Sequence, residues 1–411
     1  MESPVPERAT KSGAPADGLL AGIVVIDLSH IYNGPYATFL MATAGAHVIK
    51  VEPHGGEHLR VRAGVGGTAL PFAMLNGNKQ SVTLDLKTER GRELLLQMVG
   101  RADVLVENFA PGVTERLGLG PKTLQALNPR LIYASSTGYG RGGPYSDYPA
   151  MDLTVQAMSG VMSITGFADG PPVKSGPALC DFFAGIHLYA GIVTALYDRE
   201  RTGQGRLVEV SMQEAIYPSL ASNLALWHAG GAKVPPRTGN RHGGLAIAPY
   251  NVYPASDGHV AIICTNDRHF QALLAAMGQP DLAGDPRLAD LRARVANMDF
   301  VDETVGDWTR ERTKASLTEI FLAHRVPHAP VRDLGEVVSD PHMHARGTLQ
   351  RLDHPEYGPI TVSHSPIRYD ERRPEPLTPS RKLGADGNIV FGEWLGLSAE
   401  EVESLRTDGI I

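Results

Sequence analysis

Short β-branched runs alternate along this chain with longer stretches whose apolar residues recur at helical spacing. Ile23-Val24-Val25-Ile26 is continuously apolar, as expected of a strand buried on both faces of a parallel sheet. A helix is predicted over Tyr36 to Thr43 and a second strand over His47 to Glu52, which completes a βαβ unit. The pattern then repeats. Gln80 to Leu86, Asp103 to Glu107 and Leu131 to Ser135 read as strands, separated by helices over Glu89 to Val99 and Pro121 to Leu127. This alternation predicts an α/β fold built on an open, mainly parallel sheet. Ligands of such sheets sit beyond the carboxyl ends of the strands. Those ends carry Asp27 to Asn33, Glu107 to Ala110 and Ser135 to Gly140.

The stretch Gly166 to Ala195 breaks the rhythm. Gly166, Gly170, Pro171, Pro172, Gly176 and Pro177 forbid a helix before Asp181. After it, Phe182, Ile186, Tyr189 and Val193 fall at helical spacing, and Phe183, Leu188, Ile192 and Leu196 fill most of the remaining surface. A helix apolar nearly all round is expected to be buried. Asp181 is therefore expected at the mouth of a buried helix, near a pocket. Position alone favours an N-cap, worth about 1 kcal/mol. A carboxylate there can also act as an acyl nucleophile.

Beyond this helix, Leu207 to Met212 reads as a strand and Gln213 to Ala229 as one long helix containing Pro218. Composition changes at Gly230, where GGAKVPPRTGNRHGG begins. Tyr250 to Cys264 reads as a hairpin turning at Ser256-Asp257-Gly258. Helices are expected over Arg268 to Met277, Leu288 to Asn297 and Val301 to Arg310, and strands near Val331 and over Ile360 to His364. The domain expectation is a disordered tail over 1–18, a large α/β domain over 19–231 to which 324–411 return, and a smaller α+β domain over 232–323.

Composition narrows the classes. A hydrophobic fraction of 42% in 411 residues argues against disorder, and a net charge of −7 argues against a nucleic-acid surface. Two cysteines, Cys180 and Cys264, lie far apart outside any CxxC pair, so neither a disulfide framework nor a zinc site is expected. His54 and His58 have the spacing of a ligand pair but no third partner in sequence, and no metal is expected. No uninterrupted apolar run of about 18 residues occurs, so no membrane span is expected and the default compartment is the cytoplasm. There is no GxxxxGK[ST], and GYGRGG at Gly138 to Gly143 follows the fifth strand rather than the first. No permanently bound cofactor is expected. Lys79, Lys87, Arg116 and Arg141 stand near strand ends, where phosphates or a carboxylate could meet them.

Several segments, in order and spacing, resemble the family III CoA-transferases, the group that includes formyl-CoA transferase and carnitine CoA-transferase. They are DLSHIYNGP (Asp27 to Pro35), GAHVIKVE (Gly45 to Glu52), NGNKQSVTLDLK (Asn76 to Lys87), ADVLVENFAPG (Ala102 to Gly112), NPRLIYASSTGYG (Asn128 to Gly140), GFADGPPVKSGPALCD ending at Asp181, and TGQGRLVEVSMQEA (Thr202 to Ala215). The resemblance implies a Rossmann-like sheet, an interlocked homodimer, and coenzyme A or acyl-CoA as substrate with a small carboxylic acid as partner. It implies that Asp181 is the nucleophile. It also implies CoA contacts from Tyr32, Asn33, Leu84, Asp85, Lys87, Asn108, Phe109, Ala110, Arg116, Met151 and Asp152. Tyr32 stands where the formyl-CoA enzymes carry Gln, which points away from a formyl or oxalyl substrate and leaves a short acyl-CoA such as succinyl-CoA as donor.

The family's glycine lid is matched to Gly239 to Gly244, beside Arg237, Arg241 and His242, which are candidates for holding a second carboxylate. The related α-methylacyl-CoA racemases place a His before the residue that matches Asp152. Met151 stands there and cannot carry a proton, so racemisation is the weaker alternative. A non-catalytic CoA-binding protein is the third reading, and it would not need Asp181.

Overall fold

The computed structural model describes residues 18–61 and 69–411. The tail expected over 1–18 lies outside the described residues, apart from Gly18. The chain divides into two compact units: one of residues up to Val155, Ala178–Ile216 and Val338–Ile411, the other of Gln156–Pro177 and Tyr217–Val337.

The larger unit is built on six strands, all parallel: β1 (Val24–Asp27), β2 (His47–Glu52), β3 (Gln80–Thr83), β4 (Val104–Glu107), β5 (Ile132–Thr137) and β6 (Leu207–Ser211). Their order in the sheet is β3-β2-β1-β4-β5-β6. The strand order reverses beside β1, so a crevice is expected at the carboxyl ends of β1 and β4. Val25, Ile26, Val104, Leu105 and Ile132 are wholly buried, as continuous apolar strands between two layers must be. On one side Leu94, Leu95, Met98, Leu105 and Tyr133 pack with Val390, Phe391, Val402 and Leu405 of the C-terminal segment. On the other, Val25, Met41, Val104 and Ile132 pack against Leu188, Ile192 and Leu196.

Helix α1 (Asn33–Thr43) starts three residues earlier than the spacing predicted. Gly34-Pro35 reads as a breaker, but proline is tolerated in a first turn, where its missing N–H has no intrahelical partner. Helices α2 (Glu89–Val99) and α3 (Pro121–Leu127) match the expected spans. Helix α4 runs over Asp152–Met158, and α5 over Leu179–Thr202. The strand expected to continue to Leu86 ends at Thr83. The helix expected over Gln213 to Ala229 is broken into Met212–Ile216, a 3-10 turn at Tyr217–Leu220 and Ala221–Gly230. Pro218 cannot supply the amide that a continuous helix needs there.

Helix α5 is long and apolar enough to cross a bilayer by length and composition alone, with a mean hydropathy of 1.6 over its most apolar window. Its packing explains that apolarity: Leu188 and Ile192 are fully buried against the sheet. It is not buried all round, however, since Ile186 is 48% and Tyr197 74% exposed.

The smaller unit carries an antiparallel sheet of β7 (Tyr250–Ala255), β8 (Gly258–Ile263) and β9 (His328–Pro330). The hairpin turns at Ser256-Asp257, as expected. The β9 strand pairs with β8, so the chain remains in this unit through Val337 rather than leaving it near Ala323. Helices Asp267–Met277, Met298–Arg310 and Lys314–His324 bury Phe270, Leu273, Val301, Val305, Leu317 and Phe321 over that sheet. The last two strands, β10 (Leu349–His354) and β11 (Gly358–Ser363), form a hairpin in the larger unit.

Candidate functional site

The segment from Gly166 to Ala178 is free of helix, as its glycines and prolines require, but the helix begins two residues before Asp181. The expected cap is not there. Helix α5 starts at Leu179, which places Asp181 within the first turn, and the N-cap position is Ala178, without a side-chain cap. The cap comes from elsewhere in sequence. Oδ1 of Asp152 accepts the backbone N–H of Cys180 at 2.9 Å and that of Asp181 at 3.4 Å. Free amides of a helix start need an acceptor, and a carboxylate is a strong one. Because Asp152 takes this role, the carboxyl of Asp181 does not.

Asp181 is 8% exposed. Burial pushes its pKa up from 3.8 to about 7, and the negative charge of Asp152 adds to the effect. The helix start favours an anion by up to about 1 kcal/mol when exposed. Removal from water opposes ionisation more strongly, and it wins here.

The neighbourhood of Asp181 is shaped by the close approach of α5 to α1. A Cβ on Gly185 would lie 2.6 Å from the backbone oxygen of Asn33, so only glycine permits this contact. One turn before it, Phe182 stacks on Tyr32 at 5.7 Å between ring centroids and meets the edge of Tyr36 at 5.0 Å. These rings form an apolar wall beside the acid.

A cavity of about 320 Å³ opens at the carboxyl ends of β1 to β4. Of the predicted contacts, Leu84, Asp85, Lys87, Phe109 and Arg116 line it, joined by Leu28, His30, Val51, Pro53, Leu86, Val113 and Leu117. Its walls are mainly apolar, with the exposed side chains of Lys87 and Arg116 on its lining. The other predicted residues fall elsewhere. Tyr32, Asn33 and Asp152 gather at the start of α5, while Ala110 and Met151 are exposed and outside the cavity lining.

Asn108 links the two groups. Its side-chain N–H donates to the backbone oxygen of His30 and to Oδ1 of Asn33, both at 2.8 Å, and its own Oδ1 accepts the N–H of His30 at 2.7 Å. One asparagine thus fixes the loop that carries both the cavity wall and the residues near Asp181. Ile31 in that loop has φ of 65°, a conformation that β-branched residues rarely adopt.

His30 was not among the predicted contacts. It lines the cavity beside Phe109, with ring centroids 5.2 Å apart. Burial, with help from the charge of Lys50, pushes its pKa down to about 4, so it is neutral near pH 7. Its Nδ1 is buried without a hydrogen-bond partner among the described residues. The only signal in sequence was its place in a strand-end loop.

Four candidate cations serve the scaffold instead. Lys79 is buried, and its ammonium donates to Asp27 at 3.0 Å, Thr38 at 2.8 Å, Asn76 at 2.9 Å and the backbone oxygen of Pro35 at 3.0 Å. Burial raises the pKa of Asp27, but Lys50, Lys79, Ser29 and Thr38 more than offset it and hold the acid well below the usual carboxylate range. Burial likewise pulls Lys79 down to about 8, with Asp27 opposing. Arg141 is paired with Glu115. Within the smaller unit, Arg241 binds Asp299 at 2.6 Å and Asp302 at 2.7 Å. Arg237 donates to the backbone oxygens of Phe167 at 3.0 Å and Gly170 at 2.6 Å. Together with the bond from Gly239 N–H to Gly166 oxygen at 3.0 Å, this clasps the Gly239 to Gly244 segment to the turn at 166–170.

Cys180 and Cys264 are both buried and neither forms a disulfide. Among the described residues, no group of three His, Cys, Asp or Glu side chains is arranged to hold a metal.

The profile of the CoA-transferase family III matches residues 20–387. An acetyl-CoA:oxalate CoA-transferase of Acetobacter aceti is 40% identical over 396 residues, covering 95% of this chain and 98% of that protein. A succinyl-CoA:mesaconate CoA-transferase of Haloarcula hispanica is 39% identical over 373 residues, covering 87% of this chain and 92% of that one. A solved CAIB/BAIF family protein from Brucella suis superimposes with a TM-score of 0.80 at 34% identity, over 92% of this chain and 99% of the other.

Proposed function

From the premise that this chain belongs to the CoA-transferase family III and is an enzyme that transfers CoA between small acids, we propose that it does so through Asp181. The observation that carries this reading is the uncapped, buried carboxyl of Asp181 at the first turn of α5, its amide already engaged by Asp152.

In this reading the ionised Asp181 attacks the thioester carbonyl of the donor. The C–S bond breaks, CoA leaves as thiolate, and a mixed anhydride forms. The thiolate then attacks the aspartyl carbonyl, releases the donor acid and leaves an aspartyl-CoA thioester. The acceptor carboxylate attacks that thioester, the thiolate leaves again, and a second anhydride forms. The thiolate attacks the acceptor's acyl carbon, and Asp181 is regenerated. Every intermediate is hydrolysable, so water must be excluded. Tyr32, Tyr36 and Phe182 offer the dry wall this requires. An acid with pKa about 7 is a better nucleophile once ionised than an ordinary carboxylate, and it is still substantially ionised at neutral pH.

Coenzyme A fits the cavity beside β1 to β4, where Phe109, Leu84 and Leu117 suit a flat apolar group and Lys87 and Arg116 suit phosphates. Asn108 and Asn33 mark the route from there to Asp181. Short mono- and dicarboxylic acids are the proposed acyl partners. The relatives named for oxalate and for succinyl-CoA match almost equally well, so Tyr32 alone does not choose between them. We further propose a cytoplasmic homodimer, whose contact surface would cover the exposed Ile186 and Tyr197 of α5.

The test is a panel of acyl-CoA donors against acid acceptors, read by mass spectrometry, with wild type and Asp181→Asn side by side. Exchange by wild type and its loss in the folded variant support the reading. Exchange retained by the variant contradicts it. Proton exchange at the α-carbon in heavy water without CoA transfer would instead favour the isomerase.

A further inference from the structure

The two carboxylates at the start of α5 have different partners. Asp152, at the start of α4, accepts the amides of Cys180 and Asp181. Asp181 is buried next to it, and among the described residues no hydrogen bond to its carboxyl offsets the burial and the neighbouring charge. Among the described residues, the elements that pack most extensively on α5 carry no cation. Helix α1, strands β5 and β6 and the helix Met212–Ile216 pack against it, and between them they carry Glu209 and Glu214 but no Lys, Arg or His. The titratable side chains on α1 and β5 are the phenols of Tyr36 and Tyr133. Among the described residues, Asp152 is the charged group that acts on Asp181.

We propose that Asp152 is a positioning residue for the transfer reaction: by capping α5 through the amides of Cys180 and Asp181 it leaves the carboxyl of Asp181 uncapped and aimed at substrate. A carboxylate two residues into a helix would otherwise fold back onto the free amides, and an anion so engaged is a poor nucleophile. The charge of Asp152 has a second effect. It opposes ionisation of the free Asp181 carboxyl, and it favours the neutral anhydride and thioester once they form. The same side chain that anchors the helix therefore tunes the acid beside it. This inference rests on the reading of Asp181 as nucleophile.

The experiment follows Asp181 directly. Full-length protein is labelled with a carbodiimide and an amine across roughly pH 5 to pH 9, and the yield on the Asp181 peptide is read by mass spectrometry. The reagent needs the protonated acid, so the midpoint of labelling reports its titration without any turnover. Asp152→Asn keeps an oxygen acceptor for the amides and removes the charge, and Asp152→Ser does the same with a hydroxyl. Asp152→Ala removes both.

The expected result is a labelling midpoint lowered by roughly half a pH unit to one unit in the Asn and Ser variants, with the melting temperature near wild type. The Ala variant is expected to lose turnover tenfold or more in kcat with little change in KM, and the Asn variant to recover part of that loss. A midpoint unchanged in folded Asn and Ser variants overturns the proposal, as does an Ala variant with wild-type kcat. A lowered midpoint in a protein that forms no acyl or CoA adduct on Asp181 would sink the nucleophile reading instead, so the two failures are separable.

Discussion

Asp181→Asn makes a prediction about stability as well as activity, with a sign opposite to that of most buried polar substitutions. A carboxyl raised from 3.8 to about 7 is disfavoured in its charged form by about 4 kcal/mol once the pH exceeds 7. The folded state holds the proton between these two values and the unfolded state does not. Wild-type stability therefore falls as pH rises from about 4 to about 7, by at most about 1.4 kcal/mol per unit, and the penalty is complete above pH 7. Below pH 4 Asp181 is neutral in both states and contributes no such difference. Asparagine is close in shape and never ionises. The variant is expected to match wild type near pH 4 and to exceed it near pH 8 by a value approaching 4 kcal/mol. Urea unfolding of both proteins at several pH values measures the difference directly. A gap that does not widen with pH, or a variant less stable than wild type near pH 8, would refute the claim that burial and Asp152 disfavour the charge of Asp181.

Other substitutions test the scaffold around the site. Gly185→Ala places a methyl 2.6 Å from the oxygen of Asn33, and it is expected to cost about 1–3 kcal/mol in urea unfolding and to lower kcat as α5 and α1 separate. Lys79→Met removes one of the two cations that offset the buried charge of Asp27, leaving Lys50, and is expected to cost about 1–3 kcal/mol, whereas a solvent-facing phosphate ligand at this position would leave unfolding unchanged and raise the KM for acyl-CoA. Arg116→Ala is expected to raise that KM without changing unfolding, and the effect should shrink with added salt, as for an exposed cation meeting phosphate. Asn108→Ala releases the loop of His30 and Asn33 from three hydrogen bonds and is expected to reduce kcat/KM together with stability by about 1–3 kcal/mol.

The parallel sheet was legible because its strands are continuously apolar and its helices carry clear periodicity, as in Glu89–Val99. The division of labour between the two acids was not legible. An aspartate before an apolar helix looks like its own cap, and nothing local reveals that Asp152, 28 or 29 residues away from the amides it accepts, performs that task. Lys79 misled for a related reason: a lysine near strand ends suits a phosphate equally well, and only the register of β1 and the start of α1 bring Asp27 and Thr38 to it. The early end of β3, at Thr83, has a similar origin. Leu84 is apolar because it faces the cavity, so strand-like composition continues past the last paired residue. Pro218 was visible, but a proline can bend a helix or end one, and here it stands in the 3-10 turn between two helices.

The central claim is that the carboxyl of Asp181 becomes covalently acylated during turnover. Wild-type protein mixed with acyl-CoA, quenched with hydroxylamine and digested should yield a hydroxamate on the peptide containing Asp181, and on no other carboxyl, with the signal absent from the Asp181→Asn protein. CoA transfer that proceeds at full rate while that peptide stays unmodified would contradict the account.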